Sequence, residues 1–134
     1  MRIIICLLLL LSLALPVGAE PRNILIDTVD STSVYLDTQT VKIVQPKIFD
    51  VWIELRNSNE SDYDVLHWQF DFDNKKVKQL FTAVYDSNGH IKSSTSVDKP
   101  WQDIIPNSNA EHWLRQVMDF VVKNQDEVFK RSGL

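Results

Sequence analysis

Between residues 48 and 56 apolar and polar side chains alternate. Phe49, Val51, Ile53 and Leu55 stand on one side, and Asp50, Trp52, Glu54 and Arg56 on the other. A period of two marks a strand with one buried face. The alternation returns over 64–72. There Leu66, Trp68, Phe70 and Phe72 oppose Val65, His67, Gln69 and Asp71. Shorter β-type runs cover 23–28, 33–37 and 41–44, and a longer run with mixed alternation covers 76–85. Residues 86–89, Asp-Ser-Asn-Gly, then predict a hairpin that returns over 90–96. Asn-Gly reads as a type I′ turn, whose two central residues both take positive φ. Short turns between neighbouring strands predict an antiparallel meander of about six strands.

The last third changes period. Ala110, Trp113, Leu114, Val117, Met118 and Val121 recur at helical spacing, with Glu111, Arg115, Asp119 and Lys123 opposite. That is an amphipathic helix with one apolar stripe. Ser108 followed three residues later by Glu111 fits a capping box at its start. Asn124 either ends the helix or lets it run on towards Phe129. Strands first and one amphipathic helix last predict an α+β fold, with the helix across the apolar face of the sheet.

The first nineteen residues do not belong to that domain. Met1-Arg2 is followed by an almost uninterrupted apolar run over 3–15, then Pro16 and the small residues Val17-Gly18-Ala19. This is the pattern of a secretory signal peptide cut after Ala19, leaving 20–134 as one exported domain. The run is shorter than the ~20 residues of a spanning helix, and no other stretch approaches that length. The only cysteine, Cys6, lies in the leader. The exported domain therefore has no thiol with which to form a disulfide, a metal site or a nucleophile.

All eighteen acidic residues follow the leader, against thirteen basic ones, so 20–134 carries a net charge of −5. Nucleic-acid binders carry a basic surface. Here only Lys75, Lys76 and Lys78 cluster, and they read as a solvated face. Glycine is too scarce for a phosphate-cradling loop. His67, His90 and His112 show no metal-ligand spacing and read as partly exposed and unremarkable, so neither a metal nor a cofactor is expected. Asp71 and Asp73 flank Phe72 and would share a face, so they could form an acid–base or hard-cation pair, and Asp62 and Asp64 invite the same two readings. The simpler reading of both pairs is solubilising charge at strand ends. There is no G-x-S-x-G, and no serine is visibly partnered by histidine.

The aromatic residues carry more. If Phe49, Val51 and Ile53 face the helix, Trp52 lies on the open face of the sheet. An exposed tryptophan is a candidate binding anchor. Asp50, Glu54 and Arg56 are its polar neighbours on the same face. Trp68 and Trp113, on apolar stripes, belong to the core.

Tyr85-Asp-Ser-Asn-Gly89 followed by Trp101-Gln-Asp-Ile104-Ile-Pro106-Asn-Ser108 resembles the surface-adhesin protein E-like family of Gram-negative bacteria. Tyr35-Leu-Asp37, Val41-Lys-Ile43 and Val51-Trp-Ile53 are similar to its opening and central strands. These motifs form a device that turns, anchors and caps. Gly89 permits the turn, Trp101 pins the following segment on the core, Pro106 excludes helix before it, and Ser108 starts one.

The resemblance implies an exported, non-catalytic domain without a cofactor. Its partner would be a protein, with host extracellular-matrix and plasma proteins as the candidates. Many members tie sheet to helix with a cysteine pair. The similar positions are Phe72 and Met118, which would touch and replace the crosslink by apolar burial. Anchored members carry a lipidated cysteine where Glu20 stands, which points to the periplasm or the medium and away from surface attachment. The competing class is a small periplasmic enzyme or envelope factor acting on a cell-wall or small-molecule ligand. It would need convergent polar groups in a pocket around His67, Gln69 and Asp71.

Overall fold

The computed structural model describes residues 22–134. The expected signal peptide over 1–19, its expected cleavage point and Cys6 lie outside the described residues. Eight strands form one open antiparallel sheet. They are β1 (Asn23–Val29), β2 (Thr32–Asp37), β3 (Lys42–Gln45), β4 (Ile48–Asn57), β5 (Tyr63–Asp71), β6 (Lys76–Tyr85), β7 (Ile91–Ser96) and β8 (Gln102–Asp103). Six strands make the continuous path β1-β2-β4-β5-β6-β7. The short strands β3 and β8 extend it by pairing with the first residues of β4 and β6. Two helices follow, α1 (Asn109–Lys123) and α2 (Gln125–Arg131). The chain is thus α+β, as its periodicities predict.

The sheet's core face is aliphatic and aromatic. Val34, Leu36, Val51, Ile53 and Phe70 are fully buried. Helix α1 covers them with Trp113, Leu114, Val117, Phe120 and Val121. Burying such side chains contributes roughly 1.5–3 kcal/mol each. Met118, expected within this ridge, is only half-buried at its edge, and Phe120 takes the place. Phe72 packs edge-on against Phe49 at 4.5 Å, while Met118 lines a groove that Phe49 also lines.

Polar contacts orient the helix. A bulge in β1 between Leu25 and Asp27 takes Ile26 out of the ladder. His112 Nε2 donates to the freed Ile26 carbonyl at 3.0 Å. Trp113 Nε1 donates to Asp27 Oδ2 at 2.9 Å. His112 therefore positions the helix, and the sequence pattern alone had left it as an ordinary surface residue. At the helix start, Ser108 Oγ accepts from the Glu111 amide and Glu111 Oε1 from the Asn107 amide, each at 3.3 Å. Arg115–Glu111 and Lys123–Asp119 pair at i,i+4 on the outer face.

Four sequence expectations meet the structure at this level, three of them as corrections. First, the hairpin is not type I′, because Gly89 alone takes positive φ, at 82°. The loop is Ser87-Asn88-Gly89, closed by the Asp86 amide on the His90 carbonyl at 2.9 Å. Asp86 Oδ1 accepts the Asn88 and His90 amides, which favours this longer loop. Second, of the two outcomes open at Asn124, the helix ends there and a separate helix follows. Asn124 breaks it with φ −127° and ψ 35°, its side chain donating to the Phe120 carbonyl.

The new helix α2 is stapled to the sheet. Val128 is fully buried, Arg131 Nη1 donates to the Thr38 and Val41 carbonyls, and Ser132 Oγ accepts the Ile43 amide. Third, Trp101 is half-buried and stands outside the core cluster. Ile104 is the buried anchor of that segment, and its amide donates to the Lys75 carbonyl. Fourth, Asp71 and Asp73 do not share a face. Asp71 ends β5 and accepts from both nitrogens of Asn74, while Asp73 pairs with Lys47 beyond the strand. Lys75, at φ 52°, likewise belongs to that turn and not to the strand.

We expect Leu114→Ala to cost about 2–5 kcal/mol in urea unfolding, with Met118→Ala costing clearly less than Leu114→Ala. The turn carboxylates add a pH signature. Bonds from the Asn74 side chain and amide hold Asp71 below the ordinary aspartate value of 3.8, and the His90 amide, aided by that of Asn88, does so for Asp86. Depressed folded values mean that this stabilisation is present above pH 3.8 and lost as the pH falls through the folded values. Amide exchange at Asn74, Asn88 and His90 should therefore gain protection on going from about pH 3 to pH 5, after correction for intrinsic rates.

Candidate recognition face

Alternation along β4 sends Val51 and Ile53 into the core, and so turns Asp50, Trp52 and Glu54 to the other side. Register then builds a row. Trp52 pairs with His67 of β5, and His67 with Phe81 of β6. The Trp52 and His67 rings stack at 4.2 Å and 5°. Phe81 meets Trp52 edge-on at 5.9 Å. Two pleat repeats away, Tyr63 and Tyr85 pair across β5 and β6 and stack at 5.3 Å. Ala83, between Phe81 and Tyr85, is buried although it faces away from the helix. The aromatic rings thus cover a second, shallow apolar layer.

Phe81 reaches this face only because β6 is irregular. The register slips between His67 and Trp68, so that Leu80 is extra and the alternation of β6 changes sides. This explains the mixed pattern over 76–85. It also explains why Phe81 could not be placed from sequence, whereas Val65, His67 and Gln69 could.

The charged groups nearest Trp52 have partners. Asp50 accepts from His67 Nε2 at 2.7 Å and from Gln69 Nε2 at 3.1 Å. This fixes the His67 ring that Trp52 lies on. Glu54 accepts from Arg56 Nε at 3.0 Å, and the Arg56 guanidinium sits 3.8 Å above the Tyr63 ring. Charge-assisted bonds and cation–π contacts of this kind hold side chains in one arrangement. Asp37 pairs with Arg22 at 3.1 Å. Between these groups lies a cleft of about 340 Å³, walled by Trp52, Glu54, Tyr63, Val65 and Tyr85 with Arg22, Asp37 and Thr40 at its margin.

The four residues read as a binding patch, Asp50, Trp52, Glu54 and Arg56, do stand together. Trp52 is half-buried by its own neighbours. Tyr85, expected to serve the turn, belongs to this face through its stack on Tyr63. Gly89, Pro106 and Ser108 sit in the turn and the helix start. His67, read as unremarkable, is central, and Asp71 does not join it. His90 is exposed beside Asp86, and Asp62 pairs with Lys92 at 2.6 Å. Among the described residues no group of three or more His, Cys, Asp or Glu could hold a metal ion, and no helix is long and apolar enough to cross a membrane. No protein-family model, curated protein or solved structure matches the chain.

Asp50→Ala should leave His67 and Gln69 without their shared acceptor. We expect a loss of about 1–3 kcal/mol in urea unfolding. The indole resonance of Trp52 should shift, while that of Trp113, on the opposite side of the sheet, stays in place.

Proposed function

We propose that this chain is an exported, non-catalytic binding module that takes a protein partner on the face centred on Trp52. This is the role implied by its resemblance to the surface-adhesin protein E-like family. The proposed partners are host extracellular-matrix or plasma proteins. The proposed setting is the periplasm or the medium, reached through the signal peptide over 1–19.

The observation that carries this reading is the construction of the face. Half-buried aromatic rings whose nearest polar neighbours are paired form a surface of fixed shape, and a preformed surface lowers the entropic cost of association. Tryptophan, tyrosine and arginine are the residue types that dominate interface energetics, and Trp52, Tyr63, Tyr85 and Arg56 supply all three. The polar groups here are engaged with one another. His67 and Gln69 converge on Asp50, while Asp71 turns away to Asn74. That arrangement suits recognition better than proton transfer.

The test is capture of matrix proteins, and of proteins from the source's own periplasmic extract, on immobilised 20–134. Trp52→Ala and Arg56→Ala should each weaken capture by roughly tenfold or more, about 1.4 kcal/mol. Because Trp52 is stacked, Trp52→Ala should also cost about 1 kcal/mol of stability. Arg56→Ala, at an exposed ion pair, should leave the melting temperature within a degree or so. Capture that is undiminished in both variants would contradict the proposal.

A further inference from the structure

The largest apolar concavity lies elsewhere, between β3 and the corner where α1 meets α2. It is a groove of about 630 Å³. Val44, Val122, Phe129 and Leu134 line it and are four of the seven large hydrophobic side chains exposed on the described surface. Phe49, Met118 and Val121 form more of its wall. We infer that this groove binds a single-chain amphiphile, an alkyl chain with an anionic carboxylate or phosphate head.

Three observations point to that ligand. The walls are permanent, since Arg131 and Ser132 bond α2 to the β2–β3 segment and Val128 is fully buried beneath. The groove is therefore preformed and will not close on itself, as ligand sites of this size and apolar character usually are. Its lining excludes a polar occupant. Lys47 is its only charged side chain, joined by the amides Gln45 and Gln125 and the Ser132 hydroxyl. An uncharged chain fits the interior, and Lys47, exposed and held only by an exposed ion pair to Asp73, is available to a negative head. Finally, nothing else on the described surface complements the groove. The remaining exposed hydrophobics, Leu25 on β1, Ile91 on β7 and Ile105 in the segment after β8, form no second apolar ridge apart from the groove itself. An exposed apolar patch of this kind marks an interaction site.

The test is displacement of a neutral naphthylamine dye from 20–134 by dodecanoate, below its micelle concentration. We expect saturable displacement, roughly tenfold weaker in Val122→Asp and Phe129→Asp. Both side chains are exposed, so an unchanged melting temperature will show that the variants fold. Dodecyltrimethylammonium should displace far less well, and Trp52→Ala should change nothing, which separates this site from the recognition face. The inference is overturned by the absence of saturable displacement, by equal displacement in Val122→Asp, or by preference for the cation. It is also overturned if sedimentation shows that a second copy masks the groove, or if the full chain refuses the dye and a synthetic 1–19 peptide competes for it.

Discussion

The seating of α1 on one face of the sheet is the constraint on which the remaining architecture rests. A lone sheet of this composition would expose Val34, Leu36, Val51, Ile53 and Phe70 to water. Helix α1 removes that surface with five side chains on one stripe, and in doing so makes the two faces of the sheet unequal. Hydrophobic burial sets that the helix docks, but it is weakly directional. Direction comes from the β1 bulge, which frees the Ile26 carbonyl for His112, and from Asp27, which receives the Trp113 indole. One irregularity in an edge strand thus sets the orientation of the whole second layer.

With the helix on one side, the other side is released from core packing, and its side chains are organised by each other. Asp50 holds His67, His67 carries Trp52, and Arg56 caps Tyr63. None of these contacts is needed to close the main core. Their spacing nevertheless follows from it, because the register that aligns Val51 with Trp68 and Ile53 with Leu66 also aligns Trp52 with His67. Core and open face are two readings of one ladder. The apolar groove has a different origin. It is what remains where α2, broken from α1 at Asn124, is tied back to β3 at an angle that the sheet does not fill.

Much of this was legible along the chain. Strict alternation in β4 and β5 located both faces and put Trp52, Asp50, Glu54 and Arg56 on the open one. The capping box located the start of α1. What was not legible turned on local irregularity. The Leu80 bulge hid Phe81, since one inserted residue inverts every side chain beyond it. Asp86 diverted an Asn-Gly turn into a longer loop by binding two amides. Asn124 left open a stop or a continuation towards Phe129, and what decides for a stop is its side chain bonding back to Phe120, after which Val128 enters the core on a separate helix. His67 and His112 looked ordinary, since their partners Asp50 and Ile26 are distant in sequence and become neighbours only through strand register and helix docking. The face itself was therefore readable, and the polar network that stiffens it was not.

The most direct measurement is native-state hydrogen exchange on 20–134. If the helix and the sheet are a single cooperative unit, amides of Val117, Phe120 and Val121 will open with the same free energy as those of Val51 and Ile53, and all will match global unfolding. Helix amides that exchange through openings several kcal/mol cheaper than those of β4 would show α1 to be loosely held, and would contradict the account of how the two faces come to differ.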